Sequence, residues 1–132
     1  MDIFNQYTQE IQNDVKIDQI NILEKQLSLP AIKHKWVSRL ILHKKNKNKL
    51  EQKKMDLKEE ALKLLTEKGI PTGIPKAALA SKVESSEAIK KINDEIKETE
   101  ILIEYLEKVE KIMSSFTYDI GNATKIMTLE TT

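Results

Sequence analysis

The sequence predicts an all-α chain of long helices with a C-terminal heptad-like oligomerisation helix and no sheet. Lys, Glu, Leu and Ile dominate its 132 residues, the composition of long helices and coiled coils. Glycine and proline number only three each, too few for the turn-rich connections of sandwiches and barrels. Apolar residues recur three and four apart over most of the length, which is the helical period and not strand alternation.

Taken in order, Ile3, Tyr7, Ile11 and Val15 fall four apart and predict a first helix, marginal alone because its other residues are polar. Asp18 is placed to cap a second, short helix carrying Ile22, Leu23 and Leu27. Pro30 ends that helix and suits the first turn of the next. There Ile32, Trp36 and Leu40, then Leu50, Leu57, Ala61 and Leu64, keep helical spacing. Between Leu42 and Leu50 no residue is apolar, and His43–Lys49 holds four lysines and two asparagines, so a kink or bend is expected there. Gly69 fits a C-terminal cap, and the doubled Gly-Ile-Pro of 69–76 reads as a hinge.

Ser85 or Ser86 then caps the strongest helix. Ile89, Ile92, Ile96, Thr99, Ile103, Leu106, Glu110 and Met113 alternate three and four apart, a heptad pattern flawed at Thr99 and Glu110. Leu102, Tyr105, Val109, Ile112 and Phe116 form a second stripe on a neighbouring face. Two apolar faces on one helix need two sets of neighbours, and the second set is expected from another subunit. The organisation expected is a basic helical half over 1–68, a hinge over 69–76, an oligomerisation helix over 77–120 and a polar tail over 121–132.

Charge sharpens this outline. The net charge of +1 conceals −3 over residues 1–32, +7 over 33–68 and −4 over 82–132. Such asymmetry suggests a polyanion partner, or acidic and basic segments that neutralise one another.

Catalysis finds little support. Cysteine is absent, which removes thiol chemistry, zinc–thiolate sites and disulfides. His34 and His43 are nine residues apart, on opposite sides of a straight helix, and neither has an acidic neighbour at helical spacing. No nucleophile-elbow, His-Glu-x-x-His or Walker pattern occurs. The chain reads as a non-enzyme without cofactor or metal. No readable signal peptide and no apolar run of membrane-spanning length occur, so a cytoplasmic protein is expected.

The basic stretch is the better lead: Lys35, Arg39, Lys44, Lys45, Lys47, Lys49, Lys53, Lys54 and Lys58 are the candidate DNA-binding residues. Cations of this kind neutralise phosphates, giving sequence-independent, salt-sensitive affinity. Trp36 is the one aromatic residue nearby and shares a stripe with Ile32 and Leu40, so it reads as core, and base stacking is not expected. Composition leaves two readings open: phosphate tracking, or a solvated helix paired with the acidic ends.

Asp14-Val15-Lys16-Ile17-Asp18, then Lys35-Trp36, then Glu51-Gln52-Lys53-Lys54-Met55-Asp56-Leu57-Lys58 resemble, in order and spacing, the UvsY family of recombination mediators of T-even-type phages. The similarity spans residues 10–69; beyond Gly69 it is limited to helical character and a loose match around Ser114–Met127. The resemblance implies a homo-oligomer, ring-like as a hexamer or heptamer, that binds single-stranded DNA in the host cytoplasm. It also implies partners: a RecA-like phage recombinase and the phage single-stranded DNA-binding protein. The family's Leu-Lys-Ala-Arg element matches Leu57-Lys58-Glu59-Glu60, so Lys58 carries over while the arginine is replaced by Glu60. Oligomerisation is expected through Ile89, Ile92, Ile96, Ile103, Leu106, Val109, Ile112, Met113 and Phe116. The alternatives are a coiled-coil scaffold without nucleic-acid contact and a helical antirepressor-like regulator.

Overall fold

The computed structural model describes residues 3–67 and 76–131, with no side-chain description for 66, 67, 76, 77 and 131. The described residues form four helices and no strand: α1 (Ile3–Asp14), α2 (Ile22–Glu67), α3 (Lys76–Glu84) and α4 (Glu87–Thr131). The all-α prediction holds. Gly69 and most of the expected hinge lie outside the described residues.

Two compact units share these helices. The first comprises Met1–Leu42 with Leu102–Thr132. In it α1 contributes Tyr7 and Ile11 to a core that includes Trp36, Leu40, Leu102, Ile103, Leu106, Val109, Met113, Phe116 and Ile120. Tyr7 stands edge-on to Trp36 at 5.5 Å, and Phe4 edge-on to Tyr105 at 4.8 Å, the geometry that ring quadrupoles favour. α2 and α4 run antiparallel here, because Ile22 and Leu23 lie by Thr124 and Met127 while Trp36 and Leu40 lie by Met113 and Glu110.

The second unit is His43–Ile101. Among the described residues, those buried in it are Val83 of α3 and Ile89, Ile92, Ile96 and Thr99 of α4. Thr99, the polar flaw in the heptad pattern, bonds its hydroxyl to the Glu95 carbonyl at 2.9 Å. That local bond is what lets a polar residue occupy an apolar position.

Asp18 does cap the helix it precedes. Its Oδ1 accepts from the backbone N–H of Ile20 and Asn21 at 2.8 and 2.9 Å, and its own N–H donates to Asn21 Oδ1 at 2.7 Å. This reciprocal pair works as a capping box with Asn in place of Glu.

Several expectations are corrected. Pro30 sits inside α2 instead of dividing two helices. An interior proline costs about 3 kcal/mol, and burial of Ile22, Trp36 and Leu40 on the two sides of it offsets this. The helix runs unbroken through His43–Lys49, where a kink or bend is expected, since lysine is a good helix former and needs no apolar partner to stay helical. The 77–120 helix is two helices, α3 and α4, separated at Ser85–Ser86. Ser86 accepts at its carbonyl from Lys90 N–H, the first bond of α4. The polar tail is helical to Thr131, because Ile120 continues the buried stripe past the expected end.

The largest correction concerns the expected subunit seam. Ile89, Ile92, Ile96, Ile103, Leu106, Val109, Met113 and Phe116 are all buried within the single chain, and only Ile112, 43% exposed, faces out. The two stripes of α4 find their neighbours in the chain's own helices. A fully buried Leu106 should therefore be costly to truncate: Leu106→Ala should lower unfolding free energy by about 2–5 kcal/mol. Leu129→Ala, at an exposed position, should change it by less than about 0.5 kcal/mol. Urea titrations at several protein concentrations check this; the Leu106 loss should not depend on concentration if the core lies inside one chain.

Candidate nucleic-acid interface

All nine expected DNA-binding cations lie on α2, and the structure sorts them into paired and unpaired groups. In the first unit, Lys35 Nζ donates to Asp14 Oδ2 at 2.6 Å and lies 3.4 Å from Glu10 Oε2. Arg39 donates to Glu10 Oε2 at 2.7 Å and lies over the rings of Tyr7 and Trp36. Trp36 Nε1 donates to Asp14 Oδ2 at 2.9 Å. Lys35 and Arg39 are thus held by α1 and do not stand free in solvent.

This network explains two of the sequence anchors physically. Asp14 opens the Asp-Val-x-Ile-Asp segment and binds both members of the Lys35-Trp36 pair, while Asp18, which closes it, caps α2. The hydrogen bond from Arg39, aided by the charges of Arg39 and Lys35, holds Glu10 below its ordinary value despite the opposing effect of burial. Burial raises the Tyr7 phenol, against the lowering effect of Arg39.

In the second unit, Lys47 lies 3.5 Å from Glu100 of α4 and 3.9 Å from Glu51. Lys58 donates to Glu84 of α3, which holds that carboxyl below its ordinary value, and Lys54 adds its charge to the same group. Lys44 is exposed but engaged in an interaction of its own.

Lys45, Lys49 and Lys53 remain. All three are exposed, and among the described residues no carboxylate pairs with them. Four residues advance about 400° around a helix, so the three occupy a strip about 80° wide with about 6 Å of rise between neighbours. Beyond Lys53 that face carries Asp56, Glu59 and Glu60 before the exposed Lys63, so the continuous cationic row is interrupted there.

The carboxylate partners Glu10, Asp14, Glu84 and Glu100 went unrecognised in the sequence. The acidic flanks were the visible signal, but their contacts lie 21 to 53 residues from the cations they hold. Among the described residues no cluster of His, Asp and Glu could hold a metal, and no helix is long and apolar enough to cross a membrane.

The described residues define a small all-helical protein with a row of exposed, unpaired lysines on one helix face, and comparison with known proteins gives the family. The family described as "Recombination, repair and ssDNA binding protein UvsY" matches residues 10–131. The chain belongs to the UvsY family, and thereby to a group of phage recombination and single-stranded-DNA-binding proteins. Crystal structures of the bacteriophage T4 recombination mediator protein UvsY share its fold. One superimposes with a TM-score of 0.78 at 15% identity, covering 98% of this chain and 99% of that one. A second gives 0.76 at 16% identity, covering 100% and 99%. No match was found among curated protein sequences.

Glu10 carries a pH prediction. A carboxylate with a lowered folded value adds stability that is fully present above its ordinary 4.5 and is lost as pH falls through the lowered value. Between about pH 6 and about pH 3 the wild-type melting temperature should therefore fall further than that of Glu10→Gln. Parallel thermal melts of the two proteins check this.

Proposed function

We propose that the chain binds single-stranded DNA along the Lys45–Lys49–Lys53 row through phosphate contacts, and does so as a homo-oligomer. In this reading the bound strand is presented to a RecA-like phage recombinase in competition with single-stranded DNA-binding protein. The observation that carries the reading is the row itself, three exposed lysines at one helical face without carboxylate partners. Family membership supports it from a separate direction.

Contacts to phosphates are sequence-independent, as a mediator acting on any exposed strand requires. Three contacts per chain are weak, and several copies holding one strand convert them into useful avidity. Copies that associate must use side chains other than the seam residues already buried in each chain. Ordering the strand in this way disfavours a coat protein and favours filament nucleation; a shorter lag in recombinase ATP hydrolysis on coated DNA is the expected readout.

Each lysine contact to a single strand contributes about −0.7 to the slope of log K against log salt, so the row contributes about −2 per chain. In titrations of oligo-dT at several salt concentrations, the triple variant Lys45→Ala, Lys49→Ala, Lys53→Ala should lose that part of the slope. Lys58→Ala, which removes a lysine already held by Glu84, should leave the slope nearly unchanged. A Lys58 variant as flat as the triple variant would place the strand elsewhere. No binding by the wild type at low salt would favour the scaffold reading.

A further inference from the structure

The first unit holds a second group of cations that the row does not use. Lys35 and Arg39 are one turn apart on α2 with Trp36 between them. Both lie against the indole, at 5.2 and 4.9 Å from its centre. Facing them, Glu10 and Asp14 are one turn apart on α1. Asp14 Oδ2 accepts from Lys35 and from Trp36 Nε1, and Glu10 Oε2 accepts from Arg39. Two anions about 6 Å apart along a helix axis thus cover two cations and an aromatic face. Successive phosphates of an extended strand would make the same anion-on-cation contacts, and a base in the place of Tyr7, which stands edge-on to the indole, would meet an aromatic face flanked by cations.

We propose that Lys35, Trp36 and Arg39 form a second single-strand subsite, taking phosphates on the two cations and a base on the indole, and that Glu10 and Asp14 occupy it while no strand is bound. The proposal rests on the strand-binding reading above and adds a site to it. α1 has the properties of a displaceable cover. It is 12 residues long, buries only Tyr7 and Ile11, and has neither an acid in its first turn nor a base in its last to complement its dipole. Helices of that length are marginal in water, so a released α1 unfolds and gains chain entropy. Exchange of carboxylate for phosphate keeps Lys35 and Arg39 paired, so the loss on opening is confined mainly to the contacts of Tyr7 and Ile11 and the edge-on contact of Phe4 with Tyr105. A strand already held elsewhere on the chain raises the local phosphate concentration at this site. Strand engagement then has two stages, a sequence-independent capture followed by opening of a site that also reads a base face.

Trp36 is the only tryptophan in the chain and is 3% exposed, so its emission reports on the cover directly. The full-length chain is titrated with oligo-dT while three signals are followed: anisotropy of a labelled oligonucleotide, Trp36 emission, and hydrogen exchange of the α1 amides. The expected result is quenching or a shift of Trp36 emission that saturates with the anisotropy, and faster α1 exchange in the complex than in the free chain. Both changes should reverse when salt releases the strand.

The double variant E10Q/D14N removes the competing anions. It should bind oligo-dT several-fold more tightly and steepen the salt slope by about 1.4, two further contacts at about 0.7 each. E24Q/E130Q makes the same change in net charge away from the site and should leave the slope unchanged. Anisotropy that reports binding while Trp36 emission and α1 exchange stay constant overturns the subsite and leaves the lysine row standing. Absence of any anisotropy change overturns both. If E10Q/D14N fails to fold by far-UV circular dichroism, the wild-type emission and exchange decide alone.

Discussion

Eleven lysines and one arginine crowd a single 46-residue helix against six glutamates and aspartates, and a helix so charged must find its counterions somewhere. The chain's own carboxylates supply part of them. α1 brings Glu10 and Asp14, α3 brings Glu84 and α4 brings Glu100. Each of these pairs is partly exposed, and the energy of any one in water is small. Their larger effect is selection: by pairing with Lys35, Arg39, Lys47 and Lys58, they leave Lys45, Lys49 and Lys53 as a contiguous row of exposed cations without carboxylate partners among the described residues.

That sorting explains how a chain of nearly zero net charge presents a locally cationic surface. Long-range attraction is weak at a net +1, but a contact made within a Debye length responds to local charge alone. It also bears on the replacement of the family's arginine by Glu60. Glu60 lies with Asp56 and Glu59 on the face that continues the lysine row, and Lys58 is held by Glu84. The turn Leu57–Glu60, where the resemblance implies cations, is therefore neutralised or acidic in this chain, and the row of three unpaired lysines stands one to three turns earlier.

Local signals in the sequence were legible wherever one helix's own periodicity decided the outcome. Tyr7 and Ile11, Trp36 and Leu40, and the Ile89–Phe116 stripes were readable as buried faces, and Asp18 was readable as a cap. What could not be read was the partner of each face. The two stripes of α4 suggested a second subunit because the apolar content of α1 and α2 looked too small, yet Tyr7, Ile11, Trp36 and Leu40 include two large rings, and they join the same core. Pro30 looked like a break because its local cost was weighed without the tertiary burial of Ile22, Trp36 and Leu40 on its two sides. The ion pairs were invisible for a related reason: a lysine–glutamate contact across 53 residues leaves no trace in spacing. Family order pointed to Asp14 and the Lys35-Trp36 pair as anchors, and only the structure joined them.

The most direct test of charge sorting is the reactivity of each lysine. Acetylation under limiting reagent, read by mass spectrometry with and without oligo-dT, reports on every lysine at once. The account predicts that Lys45, Lys49 and Lys53 react readily in the free chain and are protected by the oligonucleotide. Lys47 and Lys58 should react slowly in both states. Fast reaction of Lys58 and Lys47 in the free chain, with protection concentrated there and not on the row, would contradict it.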